Sequence, residues 1–216
     1  RITLVDMDHV AESNINRQLQ ALTNTLGQAK ISALADRIVQ INPTCQVHLI
    51  EDFITPDNCA DYLQPHFDCV VDAIDQVRTK AAMIAYCVAH QRPIICTGGA
   101  GGKTNPLQIQ VADLSQTIQD PLASKVRARL RKDYGFKPAA AKDASKRTIK
   151  SSLFGVECVF STEPLRYPND QCDTQAGLNC AGFGSSVMVT ASFGFAVAAR
   201  VVAQLLGNAS HNMREH

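Results

Sequence analysis

The stretch from Cys69 to Cys96, CVVDAIDQVRTKAAMIAYCVAHQRPIIC, decides the fold. Cys69-Val70-Val71 is a short apolar strand that runs into Asp72-Ala73-Ile74-Asp75. Ala81, Ile84, Ala85 and Val88 then recur at helical spacing, which predicts a helix from about Val77 to His90. Pro93 introduces a second apolar strand, Ile94-Ile95-Cys96. Strand, helix and strand in this order make a βαβ unit, with parallel strands and a right-handed crossover.

The same rhythm extends upstream. Ile2-Thr3-Leu4-Val5 reads as a strand ending in Asp6-Met7-Asp8, and a polar stretch from Glu12 to Gln20 follows. From Gly27 a helix carries Ile31, Leu34, Ala35, Ile38 and Ile41 on one face until Asn42-Pro43 stops it. Cys45–Ile50 is a further strand, and Thr55-Pro56 supplies an N-cap and first turn for a short helix through Leu63. The fold class is therefore α/β, a doubly wound, mostly parallel sheet of Rossmann-like type.

Downstream the rhythm loosens into a strand at Leu107–Val111, a basic helix from Pro121 to Lys132, a loop over 134–152, a strand at Val156–Phe160 and an apolar helix from Gly182 to Leu206. We read residues 1–216 as a single domain with a C-terminal elaboration and a basic insertion at about 125–152. The chain opens on Arg1 directly into a strand. A nucleotide-binding unit places its first strand and glycine-rich turn about 20 residues ahead of an acid such as Asp6, so these are expected upstream.

A 45% hydrophobic, 19% charged composition with 12 Gly and 9 Pro excludes collagen-like, coiled-coil and wholly disordered chains. A net charge of +1 excludes a uniformly basic nucleic-acid coat. From Lys125 to Lys150, however, ten basic residues face two acids, so the charge is concentrated in one segment. Lys125, Arg127, Arg129, Arg131, Lys132, Lys146 and Arg147 are its candidates for a polyanion contact, against the plainer reading of a solvated loop.

The eight cysteines form no CxxC pair, so no structural zinc site is expected. Cys69, Cys87 and Cys96 lie in apolar runs, where a reduced thiol behaves as a small hydrophobe. No secretory signal is visible, and a reducing cytoplasm is the expected compartment. Ala181 to Ala199 is 19 residues without a charge, near the lower limit of a membrane span. Ser185, Ser186, Thr190, Ser192 and the closing Arg200 favour burial against a sheet or a twin subunit instead.

In an open parallel sheet, ligands bind beyond the carboxyl ends of the strands. Asp6 ends the first strand and suits the hydroxyls of a ribose, with Asp8 as a neighbouring acid. Asp75 lies just past its strand and suits a Mg²⁺ ion, which takes one or two carboxylates together with phosphate oxygens. Arg17 offers a bidentate fork to phosphate and Lys30 a point charge; together they would neutralise charge on departing pyrophosphate.

Thr97-Gly98-Gly99-Ala100-Gly101-Gly102-Lys103-Thr104 imitates a P-loop. That motif needs glycine where Thr97 stands and a helix after it, whereas Asn105-Pro106 and a strand follow here. We reject a Walker A site. Cys180 precedes the apolar helix, whose N-terminus would lower its pKa; a reactive thiol and an inert helix-entry cysteine remain equal readings. Cys172 is flanked by acids, which disfavours its thiolate.

Five spaced segments carry a resemblance: Leu4 to Asp8, Ser13 to Gln18, Gly27 to Lys30, Ile41-Asn42-Pro43 and Asp72 to Asp75. In order and spacing they resemble the ThiF/HesA superfamily of ATP-dependent adenylyltransferases, related to ubiquitin-activating enzymes. Thr97 to Gly102, Thr117 to Leu122 and Cys158 to Glu163 resemble, within it, the bacterial branch that dehydrates threonylcarbamoyladenosine in tRNA.

The resemblance implies that ATP activates the threonyl carboxylate beside the anticodon, and that ring closure then releases AMP. It implies Asp6 at ribose, Asn14, Arg17 and Lys30 around the triphosphate, Asp75 at Mg²⁺ and the adenylation step, and Lys80 as a further phosphate contact. The implied partners are a tRNA carrying threonylcarbamoyladenosine, a second copy of the chain and a cysteine desulfurase system. With the family included, the basic segment reads as a tRNA footprint.

Three alternatives remain. A sulfur-carrier adenylyltransferase would use a reactive cysteine such as Cys180, but that branch carries paired CxxC motifs that are absent here. An NAD-dependent oxidoreductase would also use Asp6 but leaves Arg17 and Lys30 without a task. A nucleotide-gated RNA-binding module would bind tRNA without consuming ATP.

Overall fold

β-Branched and aliphatic residues at Ile2–Val5 (β1) and Val47–Ile50 (β2) pair as parallel strands, with Ile2 opposite Val47 and Val5 opposite Ile50. The structure is a computed structural model that describes residues 1–137, 153–165 and 184–212. It divides into two compact units, Arg1–Thr55 and Pro56–His216.

In the first unit, Lys30–Ile41 (α1) connects the two strands. The expected start at Gly27 moves to Lys30 because Gly27 takes a left-handed φ of 81° and gives its N–H to Val10 O, while Gln28 O accepts from Val10 N. Glycine adopts that backbone without steric cost. Val10, Ala21 and Ala33 form a small buried cluster under this crossing. The polar stretch forms short 3-10 turns at Glu12–Asn14 and Thr23–Thr25.

The second unit opens with Cys59–Leu63 (α2), three residues later than Thr55-Pro56 suggested, because Pro56 O accepts from the Cys59 thiol in a turn that precedes the helix. Its sheet is built from Val70–Asp72 (β3), Ile94–Thr97 (β4), Ile109–Asp113 (β5) and Glu157–Ser161 (β6), in the order β3-β4-β6-β5. The first three neighbours run parallel, and β5 runs antiparallel to β6. The strand expected from Leu107 begins at Ile109, since Asn105 caps a 3-10 turn over Pro106–Gln108.

Val77–Ala89 (α3), Pro121–Asp133 (α4) and Val187–Asn212 (α5) complete the unit. Ile95 and Val159 pack against Val189, Phe193 and Val197 of α5. Alternate strand residues face the other way. Asp72, Cys96 and Cys158 share one register row there, and Lys80 of α3 reaches it. Helices thus cover both faces, the layering of a doubly wound sheet.

Burial of the apolar helix holds for one stripe only. Phe195 is 78% exposed and Val202 and Leu206 also face outward, and Val187–Gly207 is long and apolar enough to cross a membrane. The six described cysteines are free thiols. Burial pushes the Cys87 thiol up to about 12, which removes it from nucleophilic chemistry at neutral pH.

Candidate functional site

In the first unit, the acids after β1 organise a cation. Asp6 Oδ1 accepts from Asp8 N at 2.8 Å, and Asp8 Oδ2 pairs with Lys30 Nζ at 2.7 Å. Lys30 is the first residue of α1, and its backbone N–H also meets Asp8 O at 2.9 Å. Its ammonium is therefore held at the carboxyl end of β1 beside Asp6. Asn14 is buried and its Oδ1 accepts from Ala11 N at 3.1 Å, closing the turn that presents Arg17. Arg17 donates to Ser13 O at 2.5 Å and Asn16 Oδ1 at 3.0 Å, and its backbone N–H meets Asn14 O. One rigid turn carries Asn14 and Arg17 together.

In the second unit, Asp75 is exposed just past β3, at the point where the chain turns into α3. A buried ion pair fixes that turn: Lys80 Nζ lies 3.0 Å from Asp72 Oδ2 and donates to Asp72 O at 3.1 Å and Ile74 O at 3.0 Å. Asp72 Oδ1 accepts from Ile74 N at 3.0 Å. Burial pushes the Asp72 carboxyl up while Lys80 pulls it back. Burial opposes the Lys80 charge most strongly, but Asp72 together with Cys96 and Cys158 holds the ammonium above the ordinary lysine value. An ammonium has three donors, so Lys80 is engaged as the anchor of this turn, not as a surface phosphate contact.

The glycine-rich segment after β4 binds an acid instead of a phosphate. Asp120, the N-cap of α4, accepts from Gly99 N at 2.9 Å and Ala123 N at 2.8 Å. A Cβ on Gly98 would collide with that carboxylate, so glycine is required by close approach. Lys103, the residue that imitated a P-loop lysine, is 1% exposed and donates to Gln119 O at 3.1 Å and Ser161 O at 2.7 Å. Burial pushes its ammonium below the ordinary value, with Asp120 and Glu163 opposing. Buried Glu163 accepts from Thr104 N and Asn105 N, each at 2.8 Å. Asp120, Lys103 and Glu163 are the residues that the sequence reading left without a role; the Asp-Pro start of a helix was the one available signal.

The basic helix is only partly free for a polyanion. Lys125 and Lys132 are exposed. Arg129 pairs with Asp133 at 3.3 Å, and Arg131 lies over the Phe154 ring at 5.2 Å. Arg127 is half-buried and donates to Thr117 Oγ1. Lys146, Arg147 and Cys180, with Cys172 and most of the 134–152 loop, lie outside the described residues. Among the described residues no cluster of three His, Cys, Asp or Glu forms a metal centre. Exposed Asp75 fits the single-carboxylate share of a phosphate-bound Mg²⁺.

Parallel strands crossed by helices in each unit, with an acid beyond β1 beside Lys30, together with Arg17, in the first and an acid beyond β3 in the second, define an α/β protein of nucleotide-binding type. The ThiF family model matches residues 1–216, and the chain belongs to that family. It is 49% identical over 95% of its length to the tRNA threonylcarbamoyladenosine dehydratase of Haemophilus influenzae, covering 76% of that protein. Identity to the Escherichia coli protein of the same name is 46% over 97% of this chain and 78% of the relative. Among solved structures, E. coli tRNA N6-threonylcarbamoyladenosine dehydratase in complex with ATP matches with a TM-score of 0.82 and 45% identity, covering 97% of this chain and 76% of that one.

Proposed function

We propose that this protein is an ATP-dependent dehydratase of N6-threonylcarbamoyladenosine in tRNA. The observation that carries the reading is the match over 97% of the chain to the ATP-complexed E. coli dehydratase. The threonyl carboxylate attacks the α-phosphorus of ATP, the bond to pyrophosphate breaks, and an acyl-adenylate forms. Intramolecular attack on the activated carbonyl closes a ring and expels AMP, so the nucleoside loses one water.

Each residue takes a task that its geometry supports. Asp6, at the end of β1, accepts from the ribose hydroxyls. Arg17 and Lys30 stabilise charge on the phosphates, with Asn14 bracing the turn behind Arg17. Asp75 serves the adenylation step and Mg²⁺, whose bound charge would assist departure of pyrophosphate. Lys80 positions Asp75 through the β3–α3 turn. The exposed basic residues Lys125 and Lys132 join Arg129, Arg131, Lys146 and Arg147 in contacting tRNA phosphates. The exposed stripe of α5 supports pairing with a second copy, and buried thiols such as Cys96 and Cys158 suit a reducing cytoplasm. A cysteine desulfurase system rests on the family resemblance alone.

The test is AMP formation from ATP with threonylcarbamoylated tRNA, unmodified tRNA and no tRNA, while mass spectrometry follows the nucleoside. AMP with loss of one water, confined to the modified tRNA, is the expected result. Chelation should abolish it and added Mg²⁺ restore it. ATP–pyrophosphate exchange that requires a carrier protein and ignores tRNA would replace this reading with the sulfur-carrier one.

A further inference from the structure

A cleft of about 470 Å³ lies beside the N-terminal turn of α4, with Pro121, Pro164 and Leu165 as walls and Gln119, Asp120, Ser124 and Arg127 as polar lining. Three hydrogen bonds fix its place on the sheet. Asp120 ties it to Gly99, just beyond β4, and Lys103 ties Gln119 O to Ser161 O, the last residue of β6. The cleft therefore opens at the carboxyl edge of the sheet, where ligands of such folds bind.

Two features of its lining point to a ligand. Gln119 holds a φ of 54°, a left-handed conformation unusual for a residue with a side chain and kept in place by buried Lys103. Arg127 is a half-buried guanidinium with a bond to Thr117 Oγ1 and no ion-pair partner among the described residues. The neighbouring carboxylate of Asp120 already accepts from Gly99 and Ala123. Burial, and then Arg131, weaken the Arg127 charge, and the Asp120 carboxylate only partly offsets them. A guanidinium in this setting calls for an anion, which its planar fork meets with paired N–H groups.

The remaining lining calls for more than an anion. Proline and leucine walls suit a flat ring, and an amide with a hydroxyl can read its polar edge. The volume falls in the range of ordinary small-molecule sites. A nucleotide combines all three properties, and proteins read single-stranded RNA loops by accepting unstacked bases. We propose that this cleft seats one unstacked nucleotide of the tRNA loop, with Arg127 on its phosphate and Gln119 at its base. The assignment rests on the dehydratase reading. A free adenine nucleotide offers the same chemistry, so the test separates the two sources.

Full-chain Ser124→Tyr, which fills the cleft, and Arg127→Lys, which keeps the charge but loses the fork, are compared with the parent in AMP formation. Modified tRNA is varied at saturating ATP, then ATP at saturating tRNA. Ser124→Tyr should raise KM for tRNA about 10-fold or more, and Arg127→Lys several-fold, with KM for ATP within about twofold. An unchanged KM for tRNA in a Ser124→Tyr protein with parental Tm overturns the proposal. A rise in KM for ATP alone also overturns it and assigns the cleft to free nucleotide. If Ser124→Tyr unfolds, Leu165→Ala, which opens the wall, is read by the same split. If the parent forms no AMP with modified tRNA, the dehydratase reading fails instead. Fluorescence anisotropy of an anticodon stem-loop RNA, with parent against variant, then decides the cleft: equal affinity overturns it and weaker binding by the variant supports it.

Discussion

Replacing Lys80 by methionine removes the ammonium that pairs with Asp72 Oδ2 at 3.0 Å and caps the carbonyls of Asp72 and Ile74. Both side chains of the pair are at most 1% exposed, so water cannot substitute for the lost partner. Breaking one side of such a pair costs about 3–5 kcal/mol. That lowers the folding equilibrium by roughly two to four powers of ten. The double variant Asp72→Asn/Lys80→Met removes the stranded charge and keeps an acceptor for Ile74 N, so it should regain at least half of the loss.

The penalty should depend on pH. Without Lys80, burial is opposed by the Ile74 N–H bond alone, and the Asp72 folded-state pKa rises further above the ordinary 3.8. A carboxyl with a raised folded-state pKa binds more protons in the folded chain, so stability falls as pH rises above the unfolded value. Lys80→Met should therefore be most destabilising at neutral pH and recover toward pH 4. The chain has no tryptophan, so far-UV circular dichroism would follow urea unfolding, with comparable slopes across variants. The same variant should lower kcat for AMP formation, because Asp75 is carried by the turn that Lys80 holds. A loss below about 1 kcal/mol, or a double variant no better than the single one, would refute the account of Lys80 as anchor.

Arg17→Ala and Asp75→Ala should each lower turnover by at least about 100-fold, as for groups stabilising developing charge, and normal AMP release by either variant would remove that residue from the mechanism. Asp113 accepts from the N–H groups of Ser115, Phe154, Gly155 and Val156. Burial opposes its charge but those bonds together prevail, holding its carboxyl below 3.8. A depressed folded-state pKa stabilises above the unfolded value and is lost as pH falls through the folded one. Asp113→Asn should therefore lose about 1–3 kcal/mol at neutral pH and show a shallower acid-unfolding limb below about pH 3.8; an acid limb equal to the parent's would exclude it. Gly98→Ala should displace Asp120 from Gly99 and Ala123 and cost about 1–3 kcal/mol, and an unchanged Tm would show that the carboxylate can move aside.

The parallel βαβ character of this chain was legible in local pattern. Apolar runs at Val70–Val71 and Ile94–Cys96 flank a helical face, and Asn42-Pro43 punctuates α1 as its chemistry requires. The failure of the P-loop was equally legible, since Asn105-Pro106 cannot open a phosphate-facing helix there and instead begins a 3-10 turn. Acids at the ends of β1 and β3 marked Asp6 and Asp75, because strand ends are readable from hydrophobicity alone.

The tertiary structure decided which charged residues face inward. Lys30 and Lys80 are both lysines at or near the start of a helix, yet one pairs with a half-exposed acid and the other lies sealed against Asp72. Lys103 and Arg127 differ from their surface neighbours in the same way. Lys103 reaches acceptors 16 and 58 residues away, and Glu163 caps a segment 59 residues distant. Propensity and periodicity describe what a residue meets within a few positions along the chain. The burial of an ionised group depends on acceptors that folding brings from afar, and only their positions determine whether its charge is held inside or turned toward a ligand.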